Sequence, residues 1–230
     1  MRKFNYVFDV AKNDAKYYRK KKIASSYLPI IWKNPFNYKI NLLKKINSKD
    51  SIFADVISSV GNQDNTANTS GLITIVKHIY PELDKRNIID HYKINVFGKK
   101  TLDPFLNKTI KRKNIFNFGY VKKLENYYLT ASFGIVPQSY SSLKVSHTRV
   151  LYSWALGLPL VVFKDLKLSM PELRNNYNCL ISRSPKQFVD NMEILRKNKD
   201  VRNKLILGGL KTLNNFYNPK KLIVKLEEKL

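Results

Sequence analysis

Chemistry is most concentrated at Lys144-Val145-Ser146-His147-Thr148-Arg149, where two permanent cations and a titratable histidine surround a serine just ahead of an apolar run. Ser146 is suited to cap a helix. In that helix Val150, Leu151, Trp154 and Ala155 would form an inward stripe, with Arg149, Tyr152 and Ser153 on another face. Cations at a helix start, beside the unpaired N–H groups of its first turn, suit a diphosphate. A solvated basic loop with His147 at the surface is the plainer alternative. A second stretch, residues 61–70, runs Gly61-Asn62-Gln63-Asp64-Asn65-Thr66-Ala67-Asn68-Thr69-Ser70 and is rich in small hydrogen-bonding side chains. It leads into a helix expected to start at Thr69-Ser70-Gly71, again a place that favours an anion. An ordinary capped loop explains this stretch as well.

Other chemistries lack their residues. The histidines are His78, His91 and His147, and none stands at metal-ligand spacing from a cysteine or carboxylate. There is no GxGxxG, no P-loop, no Asp-x-Asp pair and no GxSxG elbow. Glu172, in Met170-Pro171-Glu172-Leu173, reads as a carboxylate at the start of a short helix, with a polar ligand contact as the alternative.

The elements that must position these residues alternate. Short apolar runs at 52–57, 92–97, 114–118, 133–137, 160–163 and 179–181 read as strands, several closed by a glycine. Helical spacing separates them: Leu72, Ile75, Val76 and Ile79 before Pro81, then 123–132, 147–156, a short helix at 171–173, and helix after Pro185 to the end. Strands joined through helices, without hairpin turns, imply right-handed crossovers and a parallel sheet. The expected fold is therefore α/β, an open doubly wound parallel sheet over 51–230. Ligands of such sheets lie beyond the carboxyl ends of the strands where strand order switches. That places the site at the loops 61–70, 119–121 and 138–149. Residues 1–50 lack a clean period; Pro29 and Pro35 interrupt them, and a short helix or two with an extended connector is expected there.

Length and composition bound the rest. The chain has 230 residues, 42 Lys+Arg against 17 Asp+Glu, a net charge of +25 and one cysteine, Cys179. One cysteine excludes a disulfide scaffold and permits a reducing compartment. The longest apolar run, 154–163, is far short of the roughly 20 residues that span a bilayer, and no apolar h-region follows the N-terminal Met-Arg-Lys. A soluble intracellular domain is expected. Residues 1–50 carry 13 basic and 3 acidic side chains, so the excess is densest there. Lysine excess alongside asparagine, isoleucine and tyrosine also suits an A/T-rich genome, and charge speaks to partners rather than to fold.

From about Ser51 onward the chain resembles the nucleotide-sugar-binding, C-terminal half of GT-B glycosyltransferases of the retaining group 1, or family 4, type. The stretches that carry the resemblance are Gly119-Tyr120-Val121, Gly134-Ile135-Val136-Pro137, Arg149-Val150-Leu151, Trp154-Ala155-Leu156-Gly157-Leu158-Pro159, Pro171-Glu172-Leu173 and Asn178-Cys179-Leu180-Ile181. Val60-Gly61, Asn68-Thr69-Ser70-Gly71-Leu72 and Tyr80-Pro81-Glu82-Leu83 add to it. The resemblance implies a hexosyltransferase-type enzyme that takes a glycosyl group from a nucleotide diphosphate sugar, retains its anomeric configuration and needs no metal. The donor is a substrate, so no cofactor is expected. Base and ribose would lie near Tyr120, Val121 and Tyr152. The diphosphate would lie near Gly61, Asn62, Lys144, His147, Thr148 and Arg149. Where the family usually places two glutamates eight positions apart, this chain has Lys144 and Tyr152. Where it often has a first-loop Arg and Lys, this chain has Asn62 and Ser70. No catalytic residue is therefore named.

The expected acceptor is a glycan or a lipid-linked sugar, in surface polysaccharide synthesis on the cytoplasmic side of a membrane. Each half of such an enzyme holds on the order of 150–200 residues. Residues 1–50 are too few for an acceptor half, which would come from a separate chain or from an abbreviated N-terminal segment. A non-catalytic or truncated nucleotide-sugar-binding module is the alternative. The basic, aromatic-rich residues 1–50 also suit an anionic membrane surface; no recognition helix or stacking module favours nucleic acid.

Overall fold

The computed structural model describes residues 6–32, 54–57, 61–101, 103–140 and 147–227. The chain begins with β1 (Val7–Asp9), α1 (Lys12–Lys20) and β2 (Ser25–Tyr27). The two strands pair in parallel, Val7 beside Ser25. Ala11 and Ala15 are buried, and the Ser25 hydroxyl donates to the Ala15 carbonyl at 2.6 Å. The sequence anticipates the helix but not the strands, because three residues among lysines offer no period to read.

The main sheet follows in strict alternation. β3 (Ala54–Ile57) leads to α2 (Thr66–Thr74), a π-helical turn (Ile75–Ile79) and α3 (Tyr80–Lys85). Then come β4 (Tyr92–Phe97), α4 (Pro104–Thr109), β5 (Ile115–Gly119), α5 (Leu124–Thr130), β6 (Phe133–Val136) and a 3-10 turn (Pro137–Tyr140). Next are α6 (His147–Ala155), β7 (Leu160–Phe163), a second 3-10 turn (Lys164–Leu168) and β8 (Leu180–Ser182). Helices α7 (Pro185–Lys197), α8 (Lys199–Phe216) and α9 (Pro219–Glu227) complete the described residues. Every pairing is parallel, in the order β5-β4-β3-β6-β7-β8. The chain runs outward from β3 to β5, then restarts beside β3 at β6 and runs the other way. This is an open doubly wound sheet, as expected, with its switch point between β3 and β6. All residues of β6 and β7 are buried, as central strands covered on both faces require.

The predicted inward stripe of α6 is observed: Val150, Leu151, Trp154 and Ala155 are each at most 2% exposed. The helix stops where Gly157 takes φ +64°. The Leu158 N–H reaches back to the Ser153 carbonyl at 2.8 Å and the Gly157 N–H to Trp154 at 3.1 Å, a Schellman closure that only a positive φ allows.

Two expectations fail for physical reasons. Pro81 does not end the helix begun at α2. The backbone widens by one residue per turn over Ile75–Ile79, and the helix continues through Pro81, near the start of α3. A π turn of this kind absorbs the hydrogen bond that proline cannot donate. Residues 171–173 form turns rather than a helix. The buried Asn178 side chain explains this: its Nδ2 donates to the Glu172 carbonyl at 2.8 Å, and its Oδ1 accepts from the Arg174 N–H at 2.8 Å. Backbone groups that a helix would pair internally are already taken.

Candidate functional site

The loop after β3 builds one wall of the switch-point crevice. Asn65 caps α2, its Oδ1 accepting from the Ala67 N–H at 3.0 Å, so the helix starts three residues before the expected Thr69. Gly61 and Gly98 have φ of +120° and +108°. A Cβ on Gly98 would lie 1.9 Å from the Gly61 carbonyl oxygen, so the loops after β3 and β4 meet backbone to backbone. Gln63 ties the loops after β3 and β4 to β5. It is fully buried, its N–H donates to the Lys99 carbonyl, its amide exchanges hydrogen bonds with Asn117, and its Oε1 also accepts from the Thr101 N–H. Asn62 is exposed, and its carbonyl accepts from Asn68 Nδ2 at 2.6 Å. The Asn68 Oδ1 is buried without a hydrogen-bond partner among the described residues.

On the β6 side, α2 presses against the 3-10 turn that follows the strand. A Cβ on Gly71 would lie 2.9 Å from the buried Gln138 side chain, so a glycine is what lets the two elements meet. Helix α6 then brings Thr148, exposed, and Arg149, partly buried, into its first turn. Burial pushes the Arg149 guanidinium below its ordinary value, and the nearby Tyr128 works against that. Tyr128 is itself buried and held neutral well above its usual range, with Arg149 opposing. Its ring lies edge-on to Tyr152 at 4.8 Å. Tyr152 and Val121 pack on the same apolar cluster, formed by Phe97, Tyr128, Ala131, Leu156 and Leu158.

Of the residues singled out in the sequence, then, Val121, Arg149 and Tyr152 gather around Tyr128, and Gly61 and Asn62 sit in the loop that leads into α2. Tyr120 projects outward, 83% exposed. Lys144 and the side chain of His147 lie outside the described residues. The reading of the sequence included Gln63, Asn68 and Gln138 only as members of polar loops, without a role of their own, and passed over Tyr128. Amides in polar loops look interchangeable in sequence, and Tyr128 stands in a helix with three other large apolar side chains.

Residues 54–198 match the family described as glycosyl transferases group 1. The chain belongs to this family. Comparison with curated protein sequences gives no match. Among solved structures, the group 1 chain is similar to TarM of S. aureus, 12% identical, over 98% of this chain and 43% of that one, with a TM-score of 0.68. It is similar to sucrose-phosphate synthase of Thermosynechococcus elongatus, 13% identical, over 99% and 58%, with a TM-score of 0.72. It is also similar to the C-terminal domain of the glycosyl transferase group 1 protein LpcC of Francisella tularensis, 15% identical, over 82% and 97%, with a TM-score of 0.53. These likenesses give the fold, a GT-B Rossmann-like half. The chain spans roughly half the length of TarM and of the synthase.

In this group 1 chain Glu172 is not a helix-start carboxylate. It is 8% exposed, and its Oε2 accepts from the hydroxyls of Tyr27 and Tyr217, each at 3.0 Å. It thereby joins β2 to the residue that follows α8. Burial and the Glu172 charge together hold both tyrosines neutral, far above the ordinary phenol value. Cys179 is buried and its thiol is pushed up to about 12 by burial, which makes it an inert packing group. Among the described residues no helix is long and apolar enough to cross a membrane.

Proposed function

We propose that this group 1 chain holds a nucleotide diphosphate sugar in the β3/β6 crevice, for transfer of the glycosyl group to a glycan or lipid-linked acceptor. Base and ribose lie toward Tyr120, Val121 and Tyr152. The diphosphate lies toward Gly61, Asn62, Lys144, His147, Thr148 and Arg149. The observation that carries this reading is Arg149: a partly buried cation in the first turn of a helix that follows the switch-point strand, beside a tyrosine kept neutral. A guanidinium with restricted access to water binds phosphate oxygens more strongly than one in bulk solvent. Charge growing on the departing nucleotide is stabilised by Arg149, by Lys144 and His147, and by the N–H groups at the starts of α2 and α6. No step is assigned to a metal, and the anomeric configuration is retained.

TarM, HepE and GtfA are described as complexes with UDP, and HepE also with UDP-glucose. That supports a nucleotide-linked donor here; the role we propose for the transfer is surface polysaccharide synthesis on the cytoplasmic side of a membrane. The remainder of the acceptor-binding surface would come from a separate chain or from the N-terminal segment. Donor binding should raise the unfolding temperature of the protein. UDP-, GDP- and ADP-glucose are the probes; one of them stabilises the wild type, and Arg149→Ala abolishes that effect.

The packing of Tyr152 against Tyr128, where the family usually has a glutamate, favours a second reading as a donor-binding module without catalysis. Donor binding with neither transfer nor donor hydrolysis would select it.

A further inference from the structure

Two strands beyond the switch point, a groove of about 490 Å3 opens at the carboxyl ends of β7 and β8. Its lining is Lys164, Lys167, Asn175, Ile181, Arg183 and Gln187. Lys164 is the first residue after β7 and Arg183 the first after β8, so both cations stand on the edge of the sheet that carries the crevice. None of the three cations is in an ion pair with a described residue. The first carboxylate of α7, Asp190, is engaged elsewhere by Arg86 at 2.7 Å.

The two amides sharpen the chemistry. Asn175 Oδ1 accepts from the Ile181 N–H at 2.8 Å, and Gln187 Oε1 accepts from the Arg183 N–H at 2.8 Å. A backbone N–H can only donate, so the orientation of both amides is fixed. With each oxygen turned to a backbone N–H, the NH2 group of each amide, with its two donors, is left to face the groove. Among the described residues all five polar lining side chains can donate, and no carboxylate lines the groove. The start of the 13-residue helix α7, capped by Ser184, adds its positive end.

We propose that this groove is a second anion site, separate from the donor crevice, which binds an oxyanion carried by the acceptor: a phosphate or carboxylate of an acidic glycan. A neutral sugar would need acceptors as well as donors from its walls; an oxyanion needs donors alone. Its role with an acceptor rests on the transferase reading, whereas the groove and its donors do not. With strands about 4.8 Å apart, the groove lies on the order of 5–10 Å from β6 along the sheet, close enough for one extended acceptor to reach both.

The test is calorimetric titration of the full chain at physiological salt with inorganic polyphosphate and, separately, oligogalacturonate. Three variants accompany the wild type: Lys164→Gln/Lys167→Gln/Arg183→Gln, a charge-matched control Lys108→Gln/Lys111→Gln/Lys204→Gln, and Gln187→Glu. The control is essential because a chain of net charge +25 attracts any polyanion. The groove variant should weaken at least one probe tenfold or more, and the control less than threefold. Gln187→Glu keeps the acceptor for Arg183 but replaces the donor by a charge, and should weaken the same probe. Preference for polyphosphate identifies a phosphate-bearing acceptor, and preference for oligogalacturonate a carboxylate-bearing one. Equal loss in both triple variants, or no binding by the wild type, overturns the proposal. A parallel UDP titration separates the two readings: if UDP fails to bind while the groove effect persists, the donor reading falls and the anion site stands.

Discussion

Arg149 is where the residue-scale chemistry is most exposed to test. Its guanidinium is partly buried beside Tyr128, so a lysine at this position would keep a charge but lose the planar fork that matches two phosphate oxygens. Arg149→Ala should weaken nucleotide binding by about 10- to 100-fold and Arg149→Lys by less, as measured by competition with a fluorescent nucleotide. Glu172 makes a different kind of prediction. Two tyrosine hydroxyls converge on one of its oxygens, and hydrogen bonds to a charged group contribute about 1.5–3 kcal/mol. Tyr217→Phe should therefore lower stability by about that amount in urea unfolding while leaving nucleotide binding unchanged. The sequence showed Arg149 through its place ahead of an apolar run. It could not show Tyr27 and Tyr217 meeting Glu172, because those contacts span 145 and 45 residues of chain.

Among elements, the most informative packing is that of α8 against the segment before β8. A Cβ on Gly208 would lie 1.8 Å from the Tyr177 carbonyl oxygen, and one on Gly209 would lie 2.4 Å from the Trp154 ring. Trp154 also donates to the Asn178 carbonyl at 2.9 Å, so this contact sets the position of α6. Gly208→Ala should cost at least about 1–3 kcal/mol in thermal or urea unfolding, since backbone has to move. Helix α7 is tied to β4 by Glu193, which accepts from Tyr92 and pairs with Arg196 at 2.7 Å and Lys197 at 2.6 Å. Burial pushes the Glu193 carboxyl up, but the hydrogen bonds from Arg196, Lys197 and Tyr92 outweigh it and hold it at about 2. A carboxylate whose folded value lies below its unfolded value stabilises above the unfolded value, and loses that contribution as pH falls toward the folded one. The stability difference between wild type and Glu193→Gln should hold above about pH 5 and shrink between there and about pH 2. All six main strands were readable from their apolar runs. The helix through Pro81 and the turns at 171–173 were not, because a π turn and one buried asparagine overrode the local rule.

The whole molecule joins an N-terminal unit to a GT-B half. Ile30 and Trp32 pack on the cluster that holds Trp154, Leu173, Cys179 and Leu213, and the Trp32 N–H donates to the Tyr217 carbonyl at 3.1 Å. The Lys12 N–H donates to Ser169, just past the second 3-10 turn. Deleting residues 1–32 should therefore expose apolar surface of this cluster and lower the unfolding temperature, rather than remove an independent tail. From the sequence that segment has a charge and an aromatic content but no partner, since its contacts with the rest of the chain are made with residues more than a hundred positions away. The central claim is that the β3/β6 crevice binds a nucleotide diphosphate sugar through Arg149. Isothermal titration of the full chain with UDP-, GDP- and ADP-glucose tests it most directly. One of the three should bind with a dissociation constant of about 1 μM to 1 mM, the usual range for enzyme substrates, and Arg149→Ala should weaken it at least tenfold. No heat with any of the three, or equal affinity in the variant, would contradict it.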